Sequence, residues 1–525
     1  MTFDNKIYDS QIINGSLKKV VKGTAIVFFG TLISTFLIFL GRVLIIRYWS
    51  VDDYGVFSLC LAVLYMFSLI AGLGLRRGSI RNIAYVRGQR QYDKISDFIS
   101  ISLFFSTLAA VLIGLSVFFS ADFIALKIFK DGSYILPLKI FSIGIPVYTL
   151  IDMFVSFFRG YDDIRPTVIF KFLLINVLFP LSIGIVVFYK LSFIYVFYGY
   201  ICSIVITLLC VFSYVLKHKY FTSVKFSFKS IISPTSKGLL VFSLPLLGLA
   251  MLTNIIFWTD NFMIELFKTS VEVGYYNAAN PLAQLLTFPL ISLMFIYIPI
   301  ITGLYSKGQH NEMNRNFVIL SKWLFLTSFP IFAVLFLFPG ECISYLFGVE
   351  YLPATLALRI LSIGYIFNNL FGLCTHTLLA IGKTKFIMYA SISAAVINIV
   401  LNTWLIPIYG INGAAFASVG AMLAINIVTA IKLYYLIHAH PVVKNLIKPV
   451  ISSSVVIGLI YFVVQNYMYN IFLLFLLFLV FCIVVIGLVI LSKSLDKEDL
   501  HIIQVIGDKI GFRPKRIEKL LKKFI

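Results

Sequence analysis

Phe141-Ser142-Ile143-Gly144 returns 220 residues later as Leu361-Ser362-Ile363-Gly364. Gly55-Val56-Phe57 returns as Gly274-Tyr275-Tyr276 at an offset of 219, Gly88-Gln89 as Gly308-Gln309 at 220, and Asn176-Val177 as Asn398-Ile399 at 222. Each match alone is short. Together, in chain order and at nearly one spacing, they mark an internal duplication. A duplication constrains the architecture before any single motif is interpreted.

The repeated unit is apolar. Of the 525 residues, 60% are hydrophobic and 12% charged, against roughly 45–50% and roughly 25% in soluble domains. Soluble enzyme folds are excluded, and an all-α integral membrane protein is expected. A hydrocarbon core about 30 Å thick needs roughly 20 apolar residues per helix. Fourteen runs meet that condition: 22–46, 54–75, 97–120, 135–158, 166–188, 192–215, 238–264, 275–303, 316–338, 353–381, 386–408, 412–437, 447–467 and 470–492. Six fall in each copy of the repeat. An even number returns the chain to its starting side, so the copies share one orientation, as in transporters built from parallel repeats. The expected organisation is a cytoplasmic N-terminus (1–21), an N-lobe of helices 1–6 (22–216), a basic cytoplasmic linker (217–237), a C-lobe of helices 7–12 (238–440), two extra helices (441–492) and a basic tail (493–525).

Charge gives the direction. The formal net charge is +21. With the N-terminus inside, 35 lysines and arginines fall on the cytoplasmic side and six outside. Cytoplasmic loops retain positive residues, so both termini are expected in the cytoplasm. The excess charge then needs no nucleic-acid partner. The apolar run from Thr24 to Leu40, preceded by Lys18, Lys19 and Lys22, reads as a membrane helix, being too long for a signal core. In the tail, Leu500, Ile503, Ile506 and Ile510 are interspersed with Lys509, Arg513, Lys515 and Arg516. Such a basic amphipathic segment suits an anionic membrane surface. The cysteines are too few and scattered for a disulfide framework, with Cys342 alone in a loop.

Ionisable groups inside a span are costly and mark pathways or partners. Thr24, Thr31, Thr35 and Arg42 share one face of the first span at about 100° per residue. Asn254, Asn261 and Glu265 line the seventh, with Asp260 beside them. Tyr148, Asp152, Ser156 and Arg159 mark the fourth, Asn277, Asn280 and Gln284 the eighth, and Arg359, Asn368, Asn369 and Thr375 the tenth. The repeat maps Arg42 onto Asn261, next to Asp260. Two readings stand: Arg42 is a cavity cation for an anionic head group with Asp260 its switchable partner, or the two form a structural ion pair locking the lobes. Asp152 is either a proton or sodium site or a polar helix contact. Asp260 and Glu265 are the other candidates for ion coupling. The asparagines, with Gln284, are candidate cavity lining and equally fit interhelical hydrogen bonds. No metal-ligand set is visible.

Two stretches carry a family resemblance. One runs from Gly41-Arg42 through Asp53-Tyr54-Gly55-Val56-Phe57-Ser58-Leu59 to Ala71-Gly72-Leu73-Gly74-Leu75. The other runs from Asp260 through Val273-Gly274-Tyr275-Tyr276-Asn277-Ala278-Ala279. They resemble the signature stretches of polysaccharide-biosynthesis membrane proteins, the O-antigen-type oligosaccharide flippases. That superfamily also holds multidrug and toxic-compound extruders and peptidoglycan-precursor flippases. The resemblance covers all fourteen runs, though only these stretches are sharp. It implies movement of a polyprenyl-diphosphate-linked oligosaccharide from the inner to the outer leaflet of the cell membrane by rocking of two lobes. No cofactor is implied beyond H+ or Na+ coupling. Membrane lipids and a polysaccharide polymerase or glycosyltransferases are the implied partners. Arg42 and Arg359 would be the cavity cations and Asp260 the cavity acid. One rival is an ion-coupled extruder, whose cationic cargo asks for a net acidic cavity. Another is a membrane-embedded polymerase or glycosyltransferase. Such enzymes place catalytic groups on long outer loops, whereas Asp122, Asp131, Glu341 and Glu350 form no paired constellation here.

Overall fold

The computed structural model describes residues 3–217, 228–438, 444–464 and 471–491. Residues 218–227 of the expected linker and the basic tail at 493–525 lie outside the described residues. Among those described, the chain is all-helical. The first stretch holds α1 (Phe3–Tyr48), α2 (Val51–Ala71), α3 (Leu75–Gly88), α4 (Asp93–Phe123), α5 (Ile135–Gly160), α6 (Ile175–Phe188) and α7 (Ile194–Lys217). There follow α8 (Pro234–Phe267), α9 (Ser270–Gln284), α10 (Phe288–Ser306), α11 (His310–Leu337), α12 (Pro339–Leu346), α13 (Thr355–Ala380), α14 (Thr384–Tyr409), α15 (Ile411–Ile437), α16 (Lys444–Val464) and α17 (Ile471–Leu491).

Among the described residues, 11 helices are long and apolar enough to cross a membrane. The expected eighth span at 275–303 is divided: α9 contains Pro281, the 3-10 turn Leu285–Thr287 follows, and Pro289 sits in the first turn of α10. A proline lacks the N–H that the preceding turn needs, so an apolar run alone overstated helix continuity there. The expected span at 447–467 contains the shorter apolar stretch Val450–Val463. Cys342, expected in a loop, is buried in α12.

Packing divides the chain into two compact units, Met1–Gly274 and Tyr275–Ile525. Each unit carries one of the two four-residue motifs, Phe141–Gly144 in the first and Leu361–Gly364 in the second. Helices α5 and α13 both have 26 residues. In the first unit a Cβ on Gly144 would lie 2.6 Å from Leu64 Cδ1 and 2.8 Å from Ile201 Cδ1 on α7. In the second, a Cβ on Gly364 would lie 2.5 Å from Val419 Cγ2 on α15. Ser142 and Ser362 are both buried and donate back along their own helices, to the carbonyls of Lys139 and Leu358 at 2.7 Å each. The repeated motif is therefore the seam where equivalent helices of each copy press together. A hydroxyl satisfied by its own helix can sit there without burying an orphan donor.

Around that seam the first unit packs aromatic rings. Phe57 stacks on Phe179 at 5.6 Å, and Phe141 meets Phe197 at 5.1 Å. Large rings supply much of the buried area in such a core. Helix α2 starts sharply because Ser50 and Asp53 form a capping box: Ser50 Oγ accepts from the Asp53 amide at 3.1 Å, and the Asp53 carboxylate accepts from the Ser50 amide at 3.3 Å. In the second unit Leu290, Tyr297, Phe317, Leu324, Leu373 and Leu378 form the apolar core.

Candidate functional site

The turn Gly72-Leu73-Gly74 joins α2 to α3. Gly74 has φ +69°, and a Cβ there would come 2.8 Å from the Leu247 amide nitrogen on α8. Only glycine meets both demands, a left-handed backbone and contact with another helix. The turn is thus fixed against α8, and Arg76 and Arg77 emerge from the first turn of α3. There a small cleft opens within the first unit. Ser68, Arg76, Arg77, Thr149 and Asp152 give its polar lining, and Met153, Leu246, Leu247 and Ala250 its apolar wall.

Asp152 on α5 is the only acid lining that cleft among the described residues, and it is held by two cations. Its Oδ2 accepts from Arg76 Nη1 at 3.3 Å, and its Oδ1 accepts from Lys171 Nζ. Lys171 belongs to the π-helical stretch Thr167–Leu174 that precedes α6 and packs against α5. Such stretches are rare and recur at functional positions. The Lys171 ammonium also lies 5.3 Å from the centroid of the Tyr148 ring, which suits a cation–π contact. Arg159 lies two turns beyond Asp152 on the same face of α5. Burial, reinforced by the adjacent Arg76 charge, holds the Arg77 guanidinium below its ordinary range. Asp152 is therefore shared by two cations, Arg76 and Lys171, and Arg77 lines the same cleft beside it. At an effective dielectric of about 20, a pair of unit charges about 4 Å apart interacts by about 4 kcal/mol. One acid cannot offset Arg76, Arg77 and Lys171, so the surroundings of Asp152 are net positive and suited to an anion.

Aromatic hydroxyls extend the site. Tyr65 and Tyr200 share a hydrogen bond between their hydroxyls at 2.8 Å. The Tyr65 ring packs against Tyr148 at 5.1 Å and Trp258 at 5.9 Å.

The residues expected from sequence are placed as follows. Arg42 is half-buried on α1 and makes no ion pair among the described residues. Asp260 and Asn261 are each 3% exposed on α8 and have polar contacts, but Arg42 is not the ion-pair partner of Asp260. Glu265, likewise 3% exposed, has an Oε2 without a hydrogen-bond partner among the described residues. The side chain of Asn254 lies outside the described residues. In the second unit, Asn277 is buried and Gln284 half-buried. The Tyr365 hydroxyl donates to Asn280 Oδ1 at 3.0 Å. Asn369 donates to Ser328 at 2.8 Å and to the Leu286 carbonyl. The Asn426 amide donates to Asn368 at 3.2 Å. Arg359 Nε donates to the Phe336 carbonyl at 2.9 Å, and its guanidinium sits 5.7 Å from the Phe336 ring. In this unit Asn280, Asn368 and Asn369 tie helices together.

Arg76 and Lys171 are two of the 35 lysines and arginines on the cytoplasmic side, and the charge count does not show that they converge on Asp152. Two signals were available. Arg76-Arg77 directly follows the Gly72-Leu73-Gly74-Leu75 stretch, and Lys171 interrupts an otherwise apolar run.

Comparison with known proteins adds three kinds of finding. The profile of the family described as "Polysaccharide biosynthesis protein" matches residues 20–305, and that of MatE matches residues 245–404. An uncharacterized membrane protein of Methanocaldococcus jannaschii is 25% identical over 427 residues, covering 77% of this chain and 81% of its own length. A putative O-antigen transporter of Shigella flexneri is 23% identical over 408 residues, covering 76% of this chain and 94% of its own. The fold is similar to that of the lipid II flippase MurJ in an inward closed conformation, with TM-score 0.70 at 15% identity over 88% of this chain and 98% of the other.

Proposed function

The chain belongs to the polysaccharide biosynthesis protein family, and on that premise we propose that it carries a polyprenyl-diphosphate-linked oligosaccharide from the inner to the outer leaflet. It is a multi-pass membrane transporter and not an enzyme. At the level of its family it is a flippase for lipid-linked oligosaccharides. The carrying observation is the net-positive cleft: Arg76 and Arg77 line it beside Asp152, and Lys171 holds the other oxygen of that carboxylate. A diphosphate cannot enter hydrocarbon without a very large desolvation cost, so its path must supply cations. Arginine and lysine do so with charge-assisted hydrogen bonds. The aromatic hydroxyls of Tyr65, Tyr148 and Tyr200 would face the sugars, and the prenyl tail would remain in the bilayer.

In this reading two six-helix lobes, within a fourteen-span chain with both termini cytoplasmic, alternate access to a polar central cavity. Arg42, without an ion pair among the described residues, would be the cation further along the path, and the interhelical asparagines of 275–437 would stiffen the second lobe. Asp152 is already engaged by two cations and offers little to a proton or sodium ion. Coupling, if it uses an acid, then falls to Asp260 or Glu265. A polysaccharide polymerase or glycosyltransferases would supply and consume the lipid-linked glycan.

A second reading, an ion-coupled extruder of cationic compounds, is favoured by the MatE match. A net-positive cleft disfavours cationic cargo electrostatically. Reconstitution into liposomes separates the two: a fluorescent lipid-diphosphate sugar should change leaflet, and an organic cation such as ethidium should not move. Efflux of the cation with no movement of the lipid would replace the flippase by the extruder.

A further inference from the structure

We propose that Asp152 is an internal stand-in for a phosphate, holding Lys171 and Arg76 in place while the cleft is empty and yielding them when a diphosphate head group binds. This rests on the flippase reading and adds a positioning residue to it. The geometry carries it. The two carboxylate oxygens divide the cations between them, Oδ1 to Lys171 and Oδ2 to Arg76. Two oxygens of a phosphate would present the same pattern. The three side chains come from separate elements, α3, α5 and the π-helical stretch before α6. The carboxylate is the common partner of both cations, and without it their mutual repulsion would spread them. None of the three is sealed off: the side chains of Asp152, Lys171 and Arg76 are 21%, 20% and 36% exposed. The clasp is therefore reachable from the cleft. The groups facing Asp152 are Arg76 on α3, Lys171 before α6, Arg159 and the Tyr148 ring on its own helix, and Arg77 next to Arg76.

Such an acid lowers affinity while sharpening geometry. A diphosphate must displace one negative charge to gain two cations, so the head group is released more easily than from a bare cationic seat. That is the property a transporter needs, since tight capture would stop turnover.

The test uses the full-length protein in detergent, with inorganic pyrophosphate and farnesyl diphosphate as probes, and compares wild type with Asp152→Asn. Binding of both probes should tighten about tenfold in the variant, which corresponds to about 1.4 kcal/mol. Loss of a merely structural ion pair would weaken binding, the opposite sign. Pyrophosphate should also raise the melting temperature of Asp152→Asn more than that of wild type, with chloride at matched ionic strength as the control. Equal or weaker binding by Asp152→Asn, or no extra anion-dependent stabilisation, overturns the proposal. A gain for pyrophosphate alone, without farnesyl diphosphate, would make the seat one for free anions and overturns it as a head-group device. If Asp152→Asn does not fold, Asp152→Ser is used, and it too should bind pyrophosphate about tenfold more tightly than wild type. Equal or weaker binding by Asp152→Ser would contradict the exchange. Failure of wild type to move any lipid-diphosphate sugar would instead sink the flippase reading. Normal movement with no gain in Asp152→Asn would sink this inference alone.

Discussion

Replacing Asp152 and Lys171 by alanine, singly and together, separates a clasp from a binding site. Asp152→Ala removes the carboxylate that holds two cations and leaves Lys171 beside Arg76 uncompensated. Breaking a fully buried pair costs about 3–5 kcal/mol. These side chains are 20–36% exposed, so solvent screens part of the repulsion, and about 2–3 kcal/mol is expected. Lys171→Ala leaves Asp152 still paired with Arg76 and should cost about 1–2 kcal/mol. The double variant should fall short of the sum by roughly 1 kcal/mol or more, because Lys171 no longer stands uncompensated beside Arg76. Transport follows a different pattern. Loss of one charge-assisted hydrogen bond to a phosphate, about 1.5–3 kcal/mol, should slow translocation about 10- to 100-fold in Lys171→Ala. The double variant should stay slow even though its stability recovers. Thermal melts in detergent and leaflet exchange in proteoliposomes give the two readouts. Wild-type translocation by the folded double variant would reduce the cluster to a structural clasp and refute the assignment.

The remaining expectations are shorter. Arg42→Ala should lose translocation with little change in melting temperature, since Arg42 has no ion pair to break among the described residues; Arg42→Lys should retain part of the activity, keeping charge but losing the fork. Marked destabilisation by Arg42→Ala would return it to a structural role. Gly144→Ala and Gly364→Ala should each destabilise by about 1–3 kcal/mol through overpacking. Gly364→Ala is the harsher, because stiff Val419 lies against it, and Val419→Ala should rescue Gly364→Ala alone. Reporter fusions after Lys94 and Lys229 should report cytoplasm and those near Lys130 and Glu350 the outside; a reversed pattern would overturn the orientation.

Much of the fold was legible because two signals are local and periodic. Apolar runs follow from the hydrocarbon thickness, and the Phe141–Gly144 and Leu361–Gly364 motifs sit where equivalent helices press together. The division of 275–303 was harder to see, since Pro281 and Pro289 break hydrogen bonding without lowering hydropathy. The candidate site was only half legible. Asp152 stood out as an acid in a span. Its partners did not, because Arg76 and Lys171 are separated from it by 76 and 19 residues and meet it only after the Gly74 turn and the π-helical stretch have set their directions. A single sequence reports which charges are misplaced in a membrane, but not which ones converge. The two readings of Arg42 and Asp260 show the same limit: equivalent positions in a repeat share depth, and shared depth alone does not decide whether side chains meet.

The most direct measurement is leaflet exchange of short-chain polyprenyl lipids in proteoliposomes, with head groups of sugar diphosphate, sugar monophosphate and neutral sugar, for wild type and for Arg76→Gln with Arg77→Gln and Lys171→Gln. Wild type should move the diphosphate fastest, the monophosphate more slowly and the neutral lipid hardly at all. The triple variant should lose that order, because the charge that selects the head group is gone. Wild type that moves the neutral lipid as fast as the diphosphate, or a folded triple variant that keeps the wild-type order, would contradict the account.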